Sequence, residues 1–137
     1  MNPVPLHTMT QQRLHQFATN YAAAWRSQNA SSVAAFFAEN GSLTINGGPP
    51  SIGRAAITAD AQSFMTAFPD MIVTLDRIHI ENGLAIFAWI LTGTYAANAN
   101  PVRISGHEAW QLNPDGLIGS SHGHFDADDY ARQISPA

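Results

Sequence analysis

Apolar side chains recur at intervals of three and four residues in the first half of the chain, which is the spacing of one face of an α-helix. Over residues 10–28 this face is formed by Leu14, Phe17, Ala18, Tyr21 and Trp25. Ser31 or Ser32 can cap a short second helix, which the Asn-Gly pair at 40–41 would end. A third helix is predicted over 54–68, where a proline follows. Three amphipathic helices are therefore expected.

From residue 71 onward the apolar repeat shortens to two residues, as in a β-strand with one buried face. Asn82-Gly83 favours a tight hairpin turn, and Asn113-Pro114-Asp115-Gly116 marks a second turn. A short last helix is expected from Asp126. The predicted strands lie at about 42–46, 71–81, 84–96, 102–112 and 117–125.

Helices followed by a strand meander are the order of an α+β domain, with helices on one face of the sheet. We predict a single domain over residues 1–137 with its core at about 10–134. Its curved antiparallel sheet should carry the three helices on the concave side. Because a long sheet twists and curls, a helix across its open side leaves a conical cavity for a small, apolar or aromatic organic molecule.

Composition narrows the classes of partner. The chain has six Lys and Arg residues against ten Asp and Glu, and a formal charge of −4, which argues against nucleic acid or an anionic membrane as a partner. It has no cysteine, so disulfides and thiolate chemistry are excluded. The start, Met1-Asn2-Pro3-Val4-Pro5, lacks the basic and apolar regions of a secretory signal, so a cytoplasmic location is predicted.

Polar residues alternate along the last two predicted strands. If the turn at 113–116 has four residues, the register of the hairpin follows by counting outward. Alternate residues share one face, so the polar positions of both strands would form a cluster. The expected pairs are Leu112 with Leu117, His107 with His122, Ser105 with His124, and Arg103 with Asp126.

Three imidazoles beside a carboxylate suit acid–base chemistry near neutral pH. We therefore predict Asp126, His107, His122 and His124 as catalytic residues. A solvated or dimer-covered sheet face would show the same alternation. Two histidines at i and i+2 could also converge on a metal ion, but no acidic groups that would orient them can be assigned from the sequence, and neither a metal nor another cofactor is predicted.

Large aromatic side chains are the expected walls of the cavity, although any of them can instead belong to the core. The candidates for substrate binding are Tyr21, Trp25, Phe36, Phe64, Phe68, Trp89 and Trp110.

Several short motifs resemble those of a known family, the SnoaL-like branch of the nuclear-transport-factor-2-like superfamily. The resemblance covers about residues 10–134. It rests on Ile52-Gly53-Arg54-Ala55-Ala56-Ile57, Phe68-Pro69-Asp70, Asp115-Gly116-Leu117-Ile118, His122, Asp126 and Gln133-Ile134.

This resemblance implies a cone-shaped α+β barrel, often a homodimer through the sheet, whose members cyclise polyketide esters, isomerise steroids, hydrate or dehydrate small rings, or only bind ligands. It matches Asp126 to a pocket carboxylate with His107 as its partner, whereas the family's usual Trp before that carboxylate is here His122. In members that isomerise steroids, the catalytic base lies just after the first strand. Residues 43–47, at the corresponding place in this chain, contain no carboxylate, so a steroid-isomerase mechanism is disfavoured.

The leading hypothesis is a cofactor-free cyclase or isomerase in which Asp126 moves a proton and a histidine stabilises the oxyanion. The alternatives are a non-catalytic module that binds an apolar ligand, and a dimeric association module.

Overall fold

A computed structural model describes residues 10–136, which form an α+β domain with a curved six-stranded sheet. Four helices accompany the sheet within this range. The elements are α1 (Gln11–Arg26), α2 (Ala30–Ala34), β1 (Phe37–Ile45), β2 (Ser51–Ile52), α3 (Arg54–Ala67), β3 (Ile72–Glu81), β4 (Leu84–Thr94), β5 (Pro101–Leu112), β6 (Ile118–Phe125) and α4 (Ala127–Ile134).

The strand order is β2-β1-β6-β5-β4-β3, so β2 and β3 are the edges and the sheet does not close into a full barrel. Four of the strand pairs are antiparallel, as expected, but β1 runs parallel to β6. The predicted α+β class and helix-covered curved sheet are confirmed. No helix within residues 10–136 is long and apolar enough to cross a membrane.

The first helix has the predicted apolar face. Thr10 caps it, since its hydroxyl accepts a hydrogen bond from the Arg13 amide at 3.1 Å. The second helix begins two to three positions earlier than predicted. Asn29 occupies its N-cap, and Ser31 and Ser32 lie inside the helix, so the predicted serine cap is wrong.

Contrary to the prediction, the pair Asn40-Gly41 does not end a helix but lies inside β1. The reason is a close approach between strands. A β-carbon at position 41 would lie 2.8 Å from the carbonyl oxygen of Ile118, so β1 can pass β6 there only with glycine. The register of the two strands shifts in the same region.

The two hairpins differ in how well their sequences predicted them. Asn82 and Gly83 both have positive φ, 52° and 78°, as a tight two-residue turn requires. The second turn takes one residue more than predicted, because the Asn113 amide donates to the Leu117 carbonyl and Leu112 pairs with Ile118. A bulge next to Leu112 adds a further shift.

The predicted register of β5 and β6 is therefore wrong by two residues. His107 pairs with His124 rather than with His122, and Ala109 pairs with His122. A shift of two leaves His107, His122 and His124 on their predicted face, because strand side chains alternate.

Candidate functional site

The predicted catalytic histidines lie together on the outer face of the sheet. His107 is half-buried, whereas His122 and His124 are exposed. The rings of His107 and His124 have centroids 5.2 Å apart. Burial, and then the positive charge of a protonated His124, lower the pKa of His107.

Asp126 is the N-cap of α4, where its carboxylate accepts a hydrogen bond from the Asp129 amide at 3.0 Å. It lines a polar groove that also includes Arg103 and Asp76. The structure thus separates Asp126 and the three histidines from the apolar cavity on the concave side. Among residues 10–136, no group of three or more His, Asp or Glu side chains is placed to hold a metal ion.

The concave side of the sheet holds a cavity of about 70 Å³ between the helices and the strands. Its lining comes from α1, α3 and every strand except β2. The lining residues are Trp25, Leu43, Ile45, Phe64, Val73, Phe87, Trp89, Leu91, Ile104, Glu108, Gly123 and Phe125.

Of the seven aromatic residues predicted to bind substrate, the structure brings Trp25, Phe64 and Trp89 to the cavity. The other four pack in the core or against it. Tyr21, Phe68 and Trp110 are fully buried, and Phe36 packs edge-on against Tyr21 with ring centroids 5.5 Å apart.

The cavity contains one carboxyl group, that of Glu108 on β5, and this group is 7% exposed. Its Oε1 accepts three hydrogen bonds: from the Ser121 hydroxyl at 2.7 Å, the Tyr21 hydroxyl at 2.9 Å and the Trp110 indole at 3.0 Å. Among the described residues, its Oε2 has only a contact of 3.2 Å with the same tyrosine hydroxyl. Oε2 therefore has fewer partners than Oε1.

Burial raises the pKa of Glu108, and it outweighs the three hydrogen bonds, which lower this pKa. The pKa of Tyr21 is raised well above its usual value, first by burial and then by the negative charge of Glu108. Glu108 is thus the group of this pair that gains and loses a proton, and Tyr21 remains a neutral donor.

Two glycines shape the cavity next to Glu108. A β-carbon at Gly106 would lie 2.6 Å from Cζ2 of Trp89 and would also clash with the His124 carbonyl, so glycine lets this indole lie against β5. A β-carbon at Gly123 would meet Cγ of Glu108 at 3.7 Å, which is ordinary contact. The space beside Glu108 therefore exists because position 123 has no side chain.

Sequence reasoning missed Glu108, although the alternation of β5 contained the signal. Val102, Ile104 and Trp110 are apolar residues at alternate positions of this strand, and position 108 shares their parity. A carboxylate at an inward position between Ile104 and Trp110 is a buried polar group, which is uncommon outside functional or hydrogen-bonded sites.

Comparison with known proteins gives a family. The family profile described as a SnoaL-like domain matches residues 18–120. A search of curated proteins finds no match.

Three solved structures share the fold at low identity. One is a hypothetical protein with a ketosteroid isomerase-like fold from Catenulispora acidiphila, in complex with trimethylamine, with 17% identity, TM-score 0.77, and 86% of this chain and 91% of that chain covered. The second is SalBIII, an epoxide hydrolase/cyclase-like enzyme of pyran ring formation in salinomycin, with 19% identity, TM-score 0.75, and 87% and 95% covered. The third is a candidate polyketide cyclase from Xanthomonas campestris, with 21% identity, TM-score 0.75, and 91% and 98% covered.

Proposed function

Because the chain belongs to the SnoaL-like domain family, we propose that it is a cofactor-free enzyme of the cyclase or isomerase type that transfers a proton within a small, mainly apolar organic molecule. The observation that carries this proposal is the position of Glu108. Among the described residues that line the apolar cavity, it alone has an ionisable side chain, and burial raises its pKa.

A raised pKa makes the Glu108 carboxylate a stronger base than an exposed one. The carboxylate takes a proton from a carbon next to a carbonyl group. The electron pair of the broken C–H bond forms a C=C bond, and the carbonyl electrons move onto oxygen. Return of the proton to another carbon completes an isomerisation and restores the carboxylate. In a cyclisation, the carbanion attacks a second carbonyl of the same molecule, and Glu108 gives its proton to the new alkoxide.

The surrounding residues orient the carboxyl group for this step. Tyr21, Trp110 and Ser121 all donate to Oε1, which fixes the rotation of the group and leaves Oε2 for the transferred proton. The walls of the cavity are apolar, so the charge that develops is screened less than in bulk water. This proposal gives Glu108 the role that the sequence predicted for Asp126.

The names of the structural relatives support a proton-transfer enzyme, since one is a candidate polyketide cyclase and another is epoxide hydrolase/cyclase-like. The trimethylamine complex of a third supports a small ligand.

The test uses exchange of α-protons for deuterium in D₂O, followed by proton NMR, with acetone and butanone as substrates. We expect the wild-type protein to accelerate exchange of at least one ketone and Glu108→Gln to abolish the acceleration. Glu39→Gln, which changes an exposed glutamate on β1, is the matched control. Ketone binding without any exchange would instead favour a binding module in which Glu108 serves only the core.

The outer face of the sheet supports a second proposal, a homodimer. At the centre of this face, Ile86, Ala88 and Ile90 of β4 pair with Ala109, His107 and Ser105 of β5, so six adjacent positions lack Asp, Glu, Lys and Arg. Ile90→Lys should lower the mass measured by light scattering if copies meet there. An unchanged mass, or a monomeric wild-type protein, would exclude this interface.

A further inference from the structure

We propose that the cavity selects neutral carbonyl compounds and that Trp25 binds their oxygen through its indole Nε1–H. This inference deepens the proposed function, because it rests on Glu108 as the group that transfers the proton. It assigns the substrate class and a second residue of the site.

The Trp25 side chain is 8% exposed, and its Nε1 is a buried donor without a hydrogen-bond partner among the described residues. Buried donors in folded proteins are nearly always paired, because an unpaired one has lost its bonds to water without replacement. Trp25 lines the cavity. A ligand acceptor in the cavity would supply the missing partner.

Tyr21 lies between Trp25 and Glu108. The ring of Tyr21 packs edge-on against Trp25, with centroids 6.3 Å apart, and the hydroxyl of Tyr21 contacts both oxygens of Glu108. The Trp25 indole is near enough to that hydroxyl to oppose the rise in the pKa of Tyr21, although the geometry is not that of a hydrogen bond. Phe64 also packs edge-on against Trp25, with ring centroids 6.1 Å apart.

A proton acceptor and a hydrogen-bond donor in one apolar cavity fit the two ends of an enolisable carbonyl group. Glu108 faces the carbon that loses a proton, and Trp25 faces the oxygen on which negative charge develops. A hydrocarbon would leave Nε1 unpaired.

Anionic ligands are disfavoured. None of the described lining residues is Lys, Arg or His, and the charge of Glu108 would repel a carboxylate or a phosphate. The volume of the cavity narrows the class of ligand further. The cavity of about 70 Å³ is roughly half the ~150 Å³ cavity that holds benzene. It therefore takes a small ketone or aldehyde, or the carbonyl end of a longer apolar molecule.

The test observes Trp25 directly in ¹⁵N-labelled wild-type protein, whose three tryptophans give three indole N–H signals. The protein is titrated with butanone and with 2-methylbut-1-ene, which has the same shape but no acceptor. We expect the Trp25 indole proton to move downfield with butanone and not with the alkene. The Trp110 indole, already bonded to Glu108, is the internal reference.

Equal shifts with both ligands, a shift confined to Trp89 or Trp110, or no binding of butanone would overturn the inference. A Trp25 proton that is already far downfield without ligand, and unmoved by butanone, would show that Tyr21 is its partner and would overturn it as well.

Two matched variants separate this inference from the proposed function. Trp25→Phe should reduce the preference for butanone over the alkene by roughly 2- to 10-fold, the worth of one neutral hydrogen bond. Trp89→Phe, which removes an indole from the same cavity, should keep it. Glu108→Gln should keep the Trp25 shift but lose deuterium exchange. Exchange without the shift therefore contradicts only the role of Trp25, and the shift without exchange contradicts only the proton transfer.

Discussion

The two faces of β5 place neighbouring ionisable residues in opposite environments. Glu108 points into the concave side and is 7% exposed, with three hydrogen-bond donors around Oε1. His107, one residue earlier, is half-buried on the outer face beside His124. Burial raises the pKa of Glu108 and lowers that of His107. The comparison teaches that the number of titratable groups in a cluster does not decide their environment, and the proposed reaction is therefore assigned to the cavity side of this sheet.

The largest expected effect is on the rate of the proposed reaction, where Glu108 and His107 should differ most. Glu108→Gln should lower the rate of ketone α-proton exchange by about 10²–10⁴-fold, the usual contribution of a positioned acid or base. His107→Gln, on the outer face, should leave the rate unchanged. The measurement is exchange in D₂O at saturating ketone. A loss of rate in the histidine variant alone would return the reaction to the outer face.

Substitutions at the two glycines near Glu108 should separate an effect on stability from an effect on ligand binding. Gly106→Ala should destabilise the fold by about 1–3 kcal/mol, because the new methyl group displaces Trp89 and meets backbone. Gly123→Ala meets only ordinary contacts, so it should change the free energy of unfolding little while it weakens ketone binding. Urea denaturation and NMR titration measure the two effects. A large loss of stability in Gly123→Ala would contradict the open space beside Glu108.

Ser121 tests how the carboxyl group is held. Ser121→Ala removes the 2.7 Å hydrogen bond to Oε1 and should cost about 1 kcal/mol. Since this bond lowers the pKa of Glu108, its loss should raise that pKa further and move the pH–rate profile to higher pH. Ser120→Ala, on the opposite face of β6, is the control. An unmoved profile would show that Ser121 does not act on Glu108.

Chain patterning was enough to predict most of the fold. The 3.6-residue repeat around Tyr21 and the Asn82-Gly83 turn each depend on local chemistry, and both hold in the structure. The register of the last hairpin did not follow, because it depends on the five-residue connection and on a bulge beside Leu112. The packing of the helices on one face of the sheet is likewise a property of the whole domain. The sequence therefore shows that Glu108 shares a face with Ile104 and Trp110, but not what surrounds its carboxyl group.

The smallest expected effect is a difference in how stability depends on pH. Because the folded state raises the pKa of Glu108, the folded protein keeps a proton that the unfolded chain has released. Its contribution is complete below the unfolded pKa of glutamate and is lost as the pH rises through the raised, folded value. His107 has the opposite sign, since its lowered pKa makes stability fall as the pH drops below the usual histidine range. Urea unfolding at a series of pH values measures this. For Glu108→Gln, the free energy of unfolding should vary less with pH between the usual and the raised pKa of glutamate. For His107→Gln, it should vary less with pH below the usual histidine range.

Carbon NMR titration of the Glu108 side-chain carboxyl group in the wild-type protein tests the central claim most directly. Burial in the apolar cavity predicts a midpoint above the usual range of glutamate, and ketone exchange should rise with pH through the same midpoint. A midpoint at or below the usual range would contradict the account. It would mean that the hydrogen bonds from Ser121, Tyr21 and Trp110 outweigh burial and hold Glu108 as a structural carboxylate.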